Sequence, residues 1–68
     1  MLNKNKLLGK MAEAGITQIE LAHRLELSKN TVNNKINGKG CFDTEQVAKI
    51  CDILKIEDNY VKADIFLS

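Results

Sequence analysis

Four asparagines, Asn30, Asn33, Asn34 and Asn37, fall within the stretch SKNTVNNKING. At about 100° of rotation per residue they share one arc of a helix, facing away from Val32 and Ile36. Asparagine costs a helix about half a kcal/mol or more per residue relative to alanine, because its amide competes for nearby backbone groups. Four on one face therefore need a reason. Each carboxamide presents a donor beside an acceptor, the pair that matches an adenine edge in the major groove of DNA. Lys29 and Lys35 flank the same arc with phosphate-seeking charge. A merely solvated polar face is the competing explanation, and the asparagines by themselves do not exclude it.

No other set of residues suggests chemistry as directly. The only histidine is His23, no cysteine lies at a useful spacing from it, and no glycine-rich loop follows a strand-like run. The residues therefore argue against an enzyme: no catalytic residue, cofactor or metal is expected. Cys41 and Cys51 match no zinc-binding spacing and read as free thiols, Cys51 on an apolar helical stripe and Cys41 ahead of a helix. Thr17 with Glu20, and Asp43 with Glu45, suit helix starts better than binding sites. His23 falls on a polar helix side.

A chain of 68 residues allows one small domain, spanning 1–68, with little core to spare. With no proline, three aromatic residues and no alternating β-branched runs, the expected class is all-α. The net charge of +1 hides an asymmetry. Residues 1–40 carry seven lysines or arginines against three acids, and residues 41–68 carry three against six, so one face can be basic in a near-neutral molecule. No apolar run is long enough for a signal peptide or a membrane span, so no membrane partner is expected and the expected location is the cytoplasm.

Five helices must position the asparagine arc. The first is expected at about Lys4 to Ala14, with Leu7, Leu8 and Met11 inward and Gly15 as its stop. Thr17 and Glu20 form a capping box for a second, about Gln18 to Leu25, whose apolar face is Ile19, Leu21, Ala22 and Leu25; Ile16 staples onto Leu21. Ser28 caps a third, about Lys29 to Asn37, that ends at Gly38. The fourth is capped by Asp43 with Gln46 and carries Val47, Ile50, Cys51 and Leu54 at helical spacing. A short fifth, near Asp58 to Asp64, lacks a good cap at Glu57 and is expected to bring Tyr60 and Val61 to the core. The tail Ile65, Phe66, Leu67 either folds onto its own core or pairs with a second subunit.

Two short helices joined by a tight turn, the second polar and outward-facing, have the form of a DNA-reading helix-turn-helix. From Gln18 to Gly38 the chain resembles the helix-turn-helix of the phage Cro and CI repressors and their bacterial relatives, at Gln18, Ala22, Leu27, Ser28, Thr31, Val32 and Gly38. The resemblance, looser over the rest, implies a compact five-helix lambda-repressor-like domain, of a small Cro-like kind. It also implies a transcriptional regulator that binds a palindromic double-stranded DNA operator, as a homodimer at least on DNA and without a small-molecule ligand. Lys29, Asn30 and Asn34 then occupy base-reading positions with Asn33 beside them, while Gln18, Ser28, Asn37 and Lys39 are assigned to the sugar-phosphate backbone. Two departures accompany the match. Glu26 stands where the family often has glycine, and Met11 and Ile36 stand where many relatives carry an ion pair, so an apolar contact is expected there. The alternative is a protein-binding module of the same fold, such as an antitoxin or a partner-dependent regulator.

Overall fold

Five side-chain oxygens start five helices. In the computed structural model, which describes residues 2–67, Asn3, Thr17, Ser28, Asp43 and Asp58 each accept a hydrogen bond from a backbone N–H of the first turn that follows. The helices are α1 (Lys4–Ala14), α2 (Gln18–Leu25), α3 (Lys29–Ile36), α4 (Thr44–Ile53) and α5 (Asn59–Phe66), and no strand occurs among the described residues. The all-α class and the helix order agree with the sequence analysis. Asp43 and Gln46 make a full capping box, each side chain bonded to the other's backbone.

Thr17 and Glu20 make only half of one. The Thr17 hydroxyl accepts from Glu20 N at 3.2 Å, but the Glu20 carboxylate turns to Arg24, 2.9 Å away and one turn along the helix. The fifth helix departs from expectation in the opposite sense. It is capped after all, by Asp58, whose carboxylate accepts from Tyr60 N at 2.8 Å.

The first four helices stop in a common way. Gly15, Glu26, Gly38 and Lys55 all take left-handed backbone angles, and in each case the next residue donates its N–H to a carbonyl five positions earlier. Three of those next residues are apolar: Ile16, Leu27 and Ile56 follow Gly15, Glu26 and Lys55 and pack on the core. Glu26 (φ 57°) thus adopts the left-handed turn that its side chain disfavours. The turn keeps its shape despite the residue, because the bond from Leu27 N to Ala22 O (2.9 Å) and the packing of half-buried Leu27 on the core both require it.

The core draws on every helix. Leu7, Leu21, Val32, Ile50 and Ile65, one from each, are its largest fully buried side chains, and among the described residues no polar or charged one is buried with them. Met11 and Ile36 are both buried in this cluster, as apolar members of the core. α2 packs on α3 and α4, and α1 packs on α5. The second contact is fastened twice: Asn3 N donates to Ile65 O at 2.6 Å, and Lys6 pairs with Asp64.

Two expected core residues are outside it. Ile19 is 62% exposed and Tyr60 88% exposed. The cause is angular: Ile19 lies about 160° around its helix from buried Leu21, and Tyr60 about 140° from buried Ile65, whereas Val61 shares the face of Ile65 at four-residue spacing. The tail divides. Ile65 is buried, Phe66 packs partly on the core, and Leu67 is 78% exposed. Both cysteines are free thiols, Cys41 exposed and Cys51 buried. Burial pushes the Cys51 thiol above its ordinary range; the nearby Lys62 charge opposes the shift and Asp52 adds to it.

Replacing Glu26 or Lys55 with glycine should each stabilise the fold by about 0.5–1 kcal/mol, since the left-handed strain goes while both turn bonds stay. Urea denaturation measures it, with Glu26→Ala as the control that keeps the strain and should show no such gain.

Candidate nucleic-acid interface

Helix α3 is held from one side only. Val32 and Ile36 anchor it in the core, at 0% and 2% exposure, and Ser28 fixes its start by accepting from Thr31 N at 3.1 Å, with a further Ser28 to Thr31 hydroxyl contact at 2.8 Å. The opposite face is left to solvent. Eight residues are too few for a helix to persist alone, so α3 keeps its shape through this anchorage and through its contact with α2.

The four asparagines separate into two pairs. Asn30 and Asn34 are exposed, and among the described residues no group hydrogen-bonds their side-chain amides. Asn33 and Asn37 are engaged. Asn33 Nδ2 donates to Gln18 Oε1 at 3.1 Å, Asn37 Nδ2 donates to Asn33 Oδ1 at 3.1 Å and to Asn33 O at 2.9 Å, and Lys4 Nζ donates to Asn37 Oδ1 at 2.7 Å. A chain of polar contacts therefore runs from the first residue of α2, across α3, to the first residue of α1.

That chain gives Asn33 a structural duty. Its amide joins two helices, leaving one N–H and part of the oxygen's accepting capacity unused. Gln18 is turned toward Asn33 at the N-terminus of α2, where free backbone donors and the helix dipole suit an anion. Lys29 and Lys39 are exposed at the two ends of α3, without an ion-pair partner among the described residues. Ser28, also exposed, spends its hydroxyl on the cap. Gly38 gives the left-handed turn that carries the chain into the Lys39 loop.

Lys35 differs from expectation. Its ammonium donates to the Cys41 carbonyl at 2.6 Å and lies 5.8 Å from the centre of the Phe42 ring, so it turns toward the α3–α4 loop instead of flanking the arc with Lys29. Lys4 takes up a position that sequence reasoning missed. It lies 33 residues from Asn37, and no local pattern links the two. His23 is exposed on α2, as expected.

The site is thus a projecting polar helix face, free amides in its middle and lysines at its ends, on a small all-α domain. No helix among the described residues is long and apolar enough to cross a membrane, and no group of His, Cys, Asp or Glu among them could hold a metal ion. The model of the DUF739 family, described as proteins of unknown function, matches residues 2–67, and the chain belongs to that family. No curated protein and no solved structure matches it.

Replacing Asn33 with alanine should cost about 1 kcal/mol of stability, because a partly buried bridge between α2 and α3 is lost, whereas Asn34→Ala should change it by less than about 0.5 kcal/mol. Thermal and chemical denaturation of the two variants measure the contrast; equal losses would contradict the division of the arc.

Proposed function

We propose that this protein is a sequence-specific transcriptional regulator whose α2 and α3 form a helix-turn-helix, with α3 entering the DNA major groove, in the manner of the small phage Cro and CI repressors its sequence resembles. The observation that carries this reading is the unengaged pair Asn30 and Asn34, held outward on a helix whose other face is locked into the core. A helix of eight residues presents about 12 Å of length, which a major groove accommodates.

In this reading Lys29, Asn30 and Asn34 meet base edges: the lysine donates to guanine, and the asparagines pair with adenine. Asn33 supports them, with its remaining N–H available to a base while it holds Gln18 in register. Gln18, Ser28, Asn37 and Lys39 set the position on the sugar-phosphate backbone, and Lys4 joins them through its contact with Asn37. Because one such helix covers only a few base pairs, a homodimer on a palindromic operator is the arrangement that gives adequate specificity, with half-sites about 34 Å apart. Repression follows from occupancy, with no chemistry done on the DNA, and the setting is the cytoplasm of a bacterial or prophage-bearing cell.

A protein-binding module is the second reading. One observation favours it: an open apolar groove beside the end of α3.

Selection from randomised duplex DNA at fixed salt tests the first reading, with enrichment of a two-fold symmetric motif as the expected result. On the selected duplex, Asn34→Ala should lose about 1–3 kcal/mol of binding and relax one base position, while Lys39→Ala should weaken selected and random duplexes alike. Failure to enrich any motif, or equal losses on both duplexes for both variants, would overturn it.

A further inference from the structure

A groove of about 870 Å³ lies between the end of α3, the loop after it, α4 and α5. Its walls include Ile36, Phe42, Val47, Phe66 and Leu67, and it is open to solvent along its length, unlike the enclosed pockets that bury most of a small ligand. Leu67 stands at its edge, 78% exposed. An apolar trough of this kind suits the apolar stripe of a helix laid into it.

Charge decides what that helix must carry. Lys4, Lys35 and Lys62 line the groove and no Asp or Glu does. Lys4 and Lys35 spend one donor each on neutral oxygens, which leaves their charge in place, and none of the three has an ion-pair partner among the described residues. A second copy docked groove to groove would bring six lysines together, at a cost in like-charge repulsion. Nucleic acid has no apolar stripe to offer the walls.

We infer that this groove binds an acidic amphipathic segment of another protein, its apolar side chains packed between Phe42, Val47 and Phe66 and its carboxylates over Lys4, Lys35 and Lys62. The site stands apart from the DNA-reading arc but touches it. Lys4 and Asn37 both line the groove, and Asn37 caps the end of α3 with Lys4 bonded to it, so an occupied groove withdraws backbone contacts from a duplex. This exclusion rests on the DNA reading, whereas binding of the segment does not.

A randomised 16-residue peptide library displayed against the immobilised full chain, counter-selected on the double variant Lys62→Glu, Leu67→Glu, tests the site. Both replaced side chains reach solvent, and unchanged helicity by circular dichroism verifies the variant's fold. The expected peptides carry apolar residues at three- and four-residue spacing with flanking Asp or Glu. A synthetic copy of the most enriched one should bind the wild type at least ten-fold tighter than the variant, and Lys62→Glu alone should shift the selection toward less acidic peptides. Enrichment of basic or uncharged peptides on the wild type, equal binding to the double variant, or a sedimenting dimer that Leu67→Glu returns to monomer would overturn the proposal. Displacement of bound duplex by the peptide reports the exclusion separately, and a bound peptide that leaves the duplex in place overturns that part alone.

Discussion

The burial of Val32 and Ile36 is the contact on which the candidate interface depends. Helix α3 has two apolar anchors and three asparagines, with a fourth, Asn37, at its C-cap, a composition with little helical preference of its own, and eight residues lie below the length at which isolated helices persist. Everything presented by its outer face is therefore borrowed from the core beneath. The Ser28 cap fixes where the helix begins, and the left-handed turn at Gly38 fixes where it ends. Between them, the two anchors set the rotation that leaves Asn30 and Asn34 outward.

The remaining helices serve that anchorage by sealing a core with no surplus. None exceeds eleven residues, so each depends on its neighbours as α3 does. The recurrent left-handed stops matter here because they return the chain sharply and, at Ile16, Leu27 and Ile56, press an apolar residue back onto the core. Keeping Glu26 and Lys55 in these angles shows that the tertiary contacts outweigh a local penalty of about 1 kcal/mol at each. α1 and α5 are joined by the backbone bond from Asn3 to Ile65.

Most of the fold was legible in the sequence, and particular residues show why. Caps and stops are local signals: Ser28, Asp43, Gly15 and Gly38 announce the helix limits from their own chemistry. Ile19 and Tyr60 are apolar but lie at angular positions turned away from the core, and Glu20 leaves its capping place because Arg24 competes for its carboxylate one turn away. The site was legible in part. The asparagine arc is periodic and visible, but its division into free and engaged amides depends on Gln18 and Lys4, 15 and 33 residues distant from their partners. The groove was not visible at all, since its walls come from separate segments that only packing assembles.

The central claim is that the outer face of α3, with its flanking backbone donors, is the surface that meets DNA. Titration of isotope-labelled protein with mixed-sequence duplex at low salt, followed amide by amide, tests it most directly, because even non-specific binding engages the correct face when phosphate contacts are strong. The account predicts shifts concentrated at Gln18, Ser28 to Asn34, Asn37 and Lys39, with the outer face of α5 around Tyr60 unchanged. No response at low salt, or shifts centred on α5 or on the groove around Phe42 and Phe66, would contradict it.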